Sequence, residues 1–216
     1  MTASATTGST AALRFAAPDD GSEELARAEL YGLLAQLWLA PPDDALLRQF
    51  RVAVTEAPQA GAHLELPWGE LVSAMRAASV ASARAEFDAL FQGVGKPELI
   101  AYGSFYLSGY LNEQPLAQLR HDLAALGLAR DGERLETEDH VAYVLEVMRY
   151  LIAGDDLALC NLEQQRRFFR AHLQPWVERL CDAVQAHPRA QVWAALAGLT
   201  RAFMQIETQA FDLLET

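Results

Sequence analysis

The sequence predicts an all-α fold, a single-domain helical bundle of about nine or ten helices. Apolar residues recur at the three- and four-residue spacing of a helix face in most of the chain, and glycine and proline separate these segments. No segment alternates polar and apolar residues for long enough to be a strand. A chain of 216 residues that is 51% hydrophobic can bury one substantial core. We therefore expect residues 1–21 to be a disordered N-terminal tail and residues 22–216 to form the helical domain.

Capping residues and helix breakers set the boundaries of the predicted helices. Ser22 and Asp43 are good N-caps because a side-chain oxygen at that position accepts a free backbone N–H, and Pro41 ends the first helix. The stretch 58–67 is predicted to be a loop. The other predicted helical segments are 70–91 (one long or two shorter helices), 115–126, 136–153, 155–173, 174–186 and a last helix after Pro188.

The segment 136–153, ETEDHVAYVLEVMRYLIA, is apolar nearly all round its predicted helix. Thr137 is predicted to be the N-cap, and Gly154 is predicted to end the helix. A helix that is apolar on most faces is normally covered by neighbours on several sides. We expect it to be the central helix of the bundle, with Asp139 and His140 exposed where its N-terminus reaches the surface.

The charge and the cysteine content exclude several classes of function. The net charge of −12, without a run of Lys and Arg, argues against binding to a phosphate backbone and favours a basic partner. Cys160 and Cys181 have no CxxC spacing, so neither a disulfide framework nor a zinc site is predicted. The first residues lack a basic start and a sustained apolar run, and no apolar stretch is long enough to span a bilayer. We expect a cytoplasmic protein.

Glu136, Asp139 and His140 are the cluster of side chains most suited to chemistry. Carboxylate and imidazole groups ligate zinc and iron and transfer protons. However, no second histidine stands three or four residues away, and no nucleophile motif, oxyanion motif or cofactor fingerprint accompanies the cluster. We therefore predict no catalytic residue, no metal and no cofactor. Two alternatives stay open: a metal- or nucleotide-dependent hydrolase using this cluster, and an all-α regulator whose small ligand contacts Tyr102 and Tyr106.

Three motifs, in this order in an all-helical chain, resemble the TorD/DmsD/NarJ family. They are FDALFQG at 87–93, YGSFYLSG at 102–109 and ETEDH at 136–140. The stretch 166–176, RRFFRAHLQPW, is similar to members associated with formate dehydrogenase-like operons. The resemblance covers roughly residues 23–211. The commonest form of the family has proline after the glutamate of the third motif, whereas this chain has Thr137.

The resemblance implies a cytoplasmic maturation chaperone with no reaction of its own. Members bind the twin-arginine leader or the apo-form of a molybdoenzyme catalytic subunit, assist cofactor insertion and prevent premature export. The implied partner is therefore that subunit, with no nucleic acid and no stable membrane insertion. A monomer and a domain-swapped dimer are both compatible with the sequence, and the loop 129–135 is a candidate hinge.

A leader peptide offers a guanidinium pair and an apolar stretch. Our hypothesis is that an exposed Asp139, assisted by Glu136, accepts hydrogen bonds from an arginine, and that His140 orients the site or senses pH. On this hypothesis, Asp139→Ala weakens binding by about tenfold and leaves the melting temperature nearly unchanged. The residues predicted to contact the peptide are Phe87, Leu90, Phe91, Tyr102, Ser104, Tyr106, Gly109, Glu136, Asp139 and His140.

Overall fold

The computed structural model describes residues 22–52, 63–93, 97–130 and 135–214. These ranges contain ten α-helices: α1 (Ser22–Leu39), α2 (Asp44–Val52), α3 (Glu65–Ala77), α4 (Val80–Phe91), α5 (Gly103–Ser108), α6 (Gln114–Ala125), α7 (Val141–Ala153), α8 (Leu162–His172), α9 (Val177–Gln185) and α10 (Val192–Leu213). The described ranges contain no β-strand, only an isolated antiparallel bridge between Tyr102 and His140. The predicted all-α helical bundle is confirmed. The predicted tail, 1–21, lies outside the described residues.

Several predicted helix ends agree with the structure. The backbone N–H of Leu46 donates to Oδ1 of Asp43 at 2.8 Å, so Asp43 caps α2. The segment 70–91 forms two helices, because the side chain of Ser79 accepts from the backbone N–H of Ser82 and starts α4 as a new helix. Gly127 follows α6 with φ +68°, a left-handed conformation that glycine adopts without steric penalty.

Other boundaries were predicted wrongly. Helix α3 begins at Glu65, so the end of the predicted loop 58–67 is helical, while 53–62 lies outside the described residues. Residues 155–161 form a turn before α8, whose N-cap is Asn161. The predicted hinge, 129–135, is only partly described, because 131–134 fall outside the described ranges. The structure also adds α5, a helix too short to produce a periodic apolar pattern.

The described helices share a hydrophobic core. Helix α1 runs along α7, which also contacts α8, and α10 packs against α1, α3, α4 and α9. Large aromatic side chains fill the centre, with Trp38, Trp193 and Phe50 almost inaccessible to solvent. Helix α7 buries one full face, but Tyr143, Val147 and others on its second face stay partly exposed. The central position predicted for α7 is therefore shared with α10, the longest of the described helices.

A polar network inside the core joins three helices. Arg27 of α1 donates from Nε and Nη2 to the buried carboxylate of Glu207 of α10, at 2.7 and 2.6 Å. The Tyr31 hydroxyl donates to the same carboxylate at 2.8 Å, and Arg27 also donates to Gln165 of α8 at 2.7 Å. Because each buried group has a partner, the network fixes how α1, α8 and α10 pack together. Within the described ranges, the length and apolar character that a membrane crossing requires are not found in any helix.

Candidate functional site

The second and third motifs meet at the N-terminus of α7. The backbone N–H of Val141 donates to the carbonyl of Ala101 at 2.8 Å, and the N–H of Gly103 donates to the carbonyl of Asp139 at 2.9 Å. These two hydrogen bonds form the bridge between Tyr102 and His140. The bridge holds the start of α5 against the start of α7, although the two segments are far apart in the sequence.

The carboxylate of Asp139 strengthens this connection. Its Oδ2 accepts hydrogen bonds from the backbone N–H of Ser104, at 2.9 Å, and from the Ser104 hydroxyl. Its Oδ1 accepts from the hydroxyl of Thr137 at 2.6 Å. Hydrogen bonds to a charged acceptor are stronger than neutral ones, so this buried carboxylate is a firm anchor for α5. We call Ser104, Thr137 and Asp139 the carboxylate latch.

The expectation that Asp139 is exposed is therefore wrong. The residue is 4% exposed, and three donors from the chain already occupy its oxygens. An arginine of a partner could reach it only by displacing these donors. Thr137 is also not the N-cap of α7, because its hydroxyl binds Asp139 and the helix begins four residues later, at Val141.

His140 is the N-cap of α7, and its Nδ1 accepts the backbone N–H of Ala142 at 3.3 Å. The residue is 7% exposed and lies between two aromatic rings, with ring centroids 5.0 Å from Tyr102 and 6.0 Å from Tyr143. Burial lowers the pKa of His140 to about 4, against an opposing effect of the Asp139 carboxylate. The imidazole is therefore neutral near pH 7, and since Nδ1 accepts, Nε2 carries the proton.

The proton on Nε2 of His140 has no acceptor among the described residues. The only hydrogen bond that the side chain makes in these ranges is the one through Nδ1. Among the described residues, the only side-chain N or O atom that is fully buried without a hydrogen-bond partner is Nε of Arg201. Nε2 of His140 is therefore not fully buried. The neutral imidazole thus offers one N–H donor that is still reached by solvent.

The two glutamates of the third motif have different surroundings. Glu138 forms an ion pair with Arg120 of α6, through Nη2 at 2.9 Å and Nε at 3.0 Å. Glu136 is half-buried, and its Oε2 accepts a hydrogen bond from the Tyr102 hydroxyl. Its Oε1 makes no hydrogen bond to the described residues, so Glu136 is the carboxylate of this motif that an arginine can approach.

Trp176 supports α5 from the other side. Its ring is stacked on Tyr106, with centroids 5.8 Å apart and planes inclined by 17°. Its Nε1 donates to the carbonyl of His172 at 2.6 Å, which fixes the ring. A Cβ on Gly103 would lie 2.9 Å from Cε2 of Trp176, so glycine is required for this close approach. The small residue at position 103 thus lets the indole of Trp176 pack against the start of α5.

Gly109 has a different role. No atom lies within 4 Å of a Cβ placed there, but its φ is +85° and its N–H donates to the carbonyl of Phe105 at 2.9 Å. It therefore ends α5 in the left-handed conformation that glycine favours. Contact between Gly109 and a peptide stays a prediction.

The three residues of α4 that were predicted to contact the peptide pack against the core. Phe87 and Leu90 are buried, and the ring of Phe87 lies 5.2 Å from that of Trp193. Phe91 is partly exposed and contacts Phe87 and Trp38, at 5.3 and 6.1 Å between centroids. Phe87 and Leu90 cannot receive a peptide without opening the core, so their principal role is packing.

Exposed apolar residues at the end of α5 and directly after it were not predicted from the sequence. Leu107, Tyr110 and Leu111 are 40%, 71% and 45% exposed. We call these three residues the apolar ledge. Tyr110 directly follows the second motif, 102–109, but a helix of six residues has too few turns for periodicity to separate its buried and exposed sides.

Metal ligation was the alternative role for Glu136, Asp139 and His140. In the four described ranges no three His, Cys, Asp or Glu side chains are arranged to hold a metal ion. The chemistry that this site offers is hydrogen bonding: a carboxylate oxygen on Glu136, an N–H on His140 and aromatic surface on Tyr102.

Comparison with known proteins identifies relatives for more than half of the chain. The family model described as nitrate reductase delta subunit matches residues 57–182. The chain is 27% identical over 133 residues to the chaperone protein TorD of Aliivibrio fischeri, covering 58% of this chain and 62% of that protein. It is 28% identical over 138 residues to the chaperone protein TorD of Vibrio cholerae, covering 60% and 62%. The matched region thus spans less than two thirds of these relatives.

Proposed function

Because the chain belongs to the nitrate reductase delta subunit family, the TorD/DmsD/NarJ family, we propose that it is a maturation chaperone for a molybdoenzyme catalytic subunit. It binds the twin-arginine leader or the apo-form of that subunit in the cytoplasm, assists cofactor insertion and delays export. It catalyses no reaction of its own. The family match and the TorD chaperones among the relatives support this proposal.

One observation supports peptide binding at the N-terminus of α7. The segment around the bridge presents a carboxylate oxygen on Glu136 and an N–H donor on His140, both without a partner in the described part of the chain. A carboxylate binds a guanidinium by charge-assisted hydrogen bonds. An N–H donor binds the backbone carbonyl of an extended peptide. Together the two groups can bind a short basic peptide with its chain running in one defined direction.

The carboxylate latch has an indirect role in this proposal. It keeps Tyr102 and α5 in place, and the Tyr102 hydroxyl in turn orients Glu136. Asp139 is therefore a positioning residue, and Glu136 replaces it as the group that meets the arginine. This revises the original hypothesis, in which Asp139 made the contact and Glu136 assisted.

Calorimetric titration tests the proposal. The probe is a synthetic peptide with an Arg-Arg pair, a short polar spacer and a run of Leu and Ala residues. We expect Glu136→Gln to weaken binding by about tenfold, equivalent to about 1.4 kcal/mol, because a neutral amide loses the charge-assisted hydrogen bond. With a second peptide, in which both arginines are replaced by glutamine, the wild type and the variant should bind equally weakly.

Glu146→Gln is the matched control. Glu146 lies on α7, is exposed and pairs with Arg149, remote from the bridge. Glu146→Gln removes the same charge from the protein as Glu136→Gln does. Because Glu146 is remote from the bridge, the variant should keep the affinity for the arginine peptide within about twofold of the wild type. Equal weakening by Glu136→Gln and Glu146→Gln would show that only the overall charge matters. Absence of saturable binding by the wild-type chain would contradict the proposed function.

A further inference from the structure

We propose that Asp122 of α6 and His172 of α8 are positioning residues for the candidate site, because their hydrogen bond holds Trp176 under α5. This inference rests on the proposed function and extends it to two residues that do not touch the peptide. The connection runs from the pair to the indole and from the indole to α5, and each step is a direct contact.

The pair joins the last residue of α8 to the last turn of α6. Nε2 of His172 lies 2.8 Å from Oδ2 of Asp122. A carboxylate only accepts hydrogen bonds, so the imidazole donates from Nε2. Burial lowers the pKa of His172 despite the opposing effect of the carboxylate, so the imidazole is neutral near pH 7. The pair is therefore a hydrogen bond from a neutral donor to a charged acceptor, which is stronger than one between neutral groups.

Gln118 fixes the carboxylate of Asp122 from the preceding turn of α6. Its Nε2 donates to both carboxylate oxygens, at 3.2 Å each. Burial raises the pKa of Asp122, but the hydrogen bonds from Gln118 and His172 outweigh this effect and lower the pKa below its usual value. The carboxylate is therefore charged near neutral pH and held in one orientation toward α8.

His172 connects the pair to Trp176. The last four carbonyls of a helix have no partner within the helix, and helix ends fray. Here the carbonyl of His172 accepts the Nε1 proton of Trp176 at 2.6 Å, while its side chain is bound to α6. Loss of the pair would free the last turn of α8 and with it the acceptor that fixes the indole.

Helix α5 depends on this indole for its position. A helix of six residues is too short to be stable alone, so the surface on which it packs decides where it lies. That surface is the ring of Trp176, which is stacked on Tyr106 and leaves no room for a Cβ on Gly103. A displaced indole would therefore displace α5.

The start of α5 orients the carboxylate that meets the arginine. The Tyr102 hydroxyl, directly before α5, donates to Glu136. Helix α6 also reaches the third motif, because Arg120 forms an ion pair with Glu138 at 2.9 Å. Helix α6 thus joins the end of α8 to the segment before α7. Side chains that are already ordered lose less freedom on binding, so the pair should raise the affinity without contacting the peptide.

Calorimetric titration of the full chain with the arginine peptide tests the proposal. We expect His172→Leu to weaken binding by about tenfold, because the peptide itself must then order the site. Asp122→Ala breaks the pair from the other side and should weaken binding equally, and the double variant should be no weaker than either single one. His172→Gln keeps an N–H donor for Asp122 and should restore the affinity to within about twofold of the wild type.

Asp122→Ala also guards against a variant that does not fold. The side chain of Asp122 is 17% exposed, so its removal leaves no enclosed cavity. Because it removes a negative charge, Glu146→Gln is its control for charge. All titrations are made at a temperature at which circular dichroism shows that each variant is folded.

Thr200→Val is the control for lost stability without a change at the site. Thr200 of α10 is buried, and its hydroxyl accepts a hydrogen bond from Nε1 of Trp38 of α1 at 3.0 Å. Valine has nearly the same shape but no hydroxyl, so the variant should have a lower melting temperature. Its affinity for the arginine peptide should match that of the wild type, because α5 and α6 are unchanged.

Near-ultraviolet circular dichroism follows the indole directly. The chain has four tryptophans, so the difference spectrum of Trp176→Phe identifies the contribution of Trp176. We expect His172→Leu and Asp122→Ala to lose this contribution, and His172→Gln and Thr200→Val to keep it. Retention of the contribution in both variants of the pair would contradict the proposed connection.

The affinities separate this inference from the proposed function. Wild-type affinity in His172→Leu and Asp122→Ala, with binding by Glu136→Gln still weakened, would refute the positioning role and leave the proposed function intact. Equal weakening in Thr200→Val would show that affinity follows overall stability, which would also overturn the inference. Lack of saturable binding by the wild-type chain would contradict the proposed function itself.

Discussion

Replacing Asp139 by alanine is the sharpest test of the carboxylate latch. The change leaves three donors without an acceptor: the N–H and the hydroxyl of Ser104 and the hydroxyl of Thr137. Asp139 is 4% exposed, so water cannot freely replace the lost carboxylate. The original hypothesis of an exposed Asp139 predicts nearly unchanged stability. The structure predicts the opposite.

The expected loss of stability follows from the three hydrogen bonds. A hydrogen bond to a charged group contributes about 1.5–3 kcal/mol, and a buried donor that is left without an acceptor costs about 1–3 kcal/mol. Because three donors lose their acceptor, we expect Asp139→Ala to lower the free energy of unfolding by about 3–5 kcal/mol. For a protein of this size each kcal/mol lowers the melting temperature by roughly 2–4 °C, so the decrease should be about 6–20 °C.

Urea unfolding followed by circular dichroism measures this loss, with thermal unfolding as a second readout. Asp155→Ala is the control, because Asp155 is exposed, and it should change the free energy of unfolding by less than about 0.5 kcal/mol. Ser104→Ala should show coupling with Asp139→Ala in a double-mutant cycle, since each variant removes the same contact. A melting temperature for Asp139→Ala within the range of the Asp155 control would refute the latch.

Two further predictions concern the same region. His140 has a pKa of about 4 in the folded chain, below its usual 6.5, so the unfolded chain binds a proton between these values that the native chain does not. Stability should therefore fall as pH falls from about 6.5 to 4, by about 3 kcal/mol from this group. His140→Asn, which keeps a capping side chain, should reduce that pH dependence of the free energy of unfolding in urea titrations. An unchanged pH dependence would contradict the lowered pKa of the buried His140. Gly103→Ala should destabilise by about 1–3 kcal/mol and alter the near-ultraviolet spectrum of Trp176, because its Cβ would press on the indole. Gly198→Ala, within α10, is the matched control and should be neutral or stabilising.

Much of the fold could be predicted from the sequence because local signals determine it. Asp43 caps α2, and Gly127 follows α6, as their residue types indicate. Most of the periodic apolar residues of α7 and α10 are buried in the core. In these elements the local preference and the tertiary packing agree.

The start of α7 could not be predicted, because it depends on contacts that are distant in the sequence. A threonine followed by two acidic residues is typical of a helix N-terminus. Here the carbonyl of Ala101 and the donors of Ser104 hold the segment in an extended bridge and turn instead. The burial of Asp139 has the same origin. The sequence therefore indicated which residues matter in this region, but it predicted wrongly that Asp139 is exposed.

The candidate site was predicted in part. The structure brings Tyr102, Ser104, Glu136, Asp139 and His140 together, and it places Phe87 and Leu90 in the core. The resemblance to a family identified the motifs at 102–109 and 136–140, but it did not indicate how their side chains contact each other. The apolar ledge could not be predicted, because the exposure of residues in a short helix and a turn depends on which other segments pack beside them.

Hydrogen exchange measured by mass spectrometry tests the central claim most directly. The claim is that α5 and the start of α7 form one peptide-binding surface. Addition of the arginine and apolar peptide to the full chain should slow exchange in 103–113 and 135–143, and leave α9 and α10 unchanged. Protection confined to α9 and α10, or slowed exchange with the arginine-free peptide at the same concentration, would contradict the account.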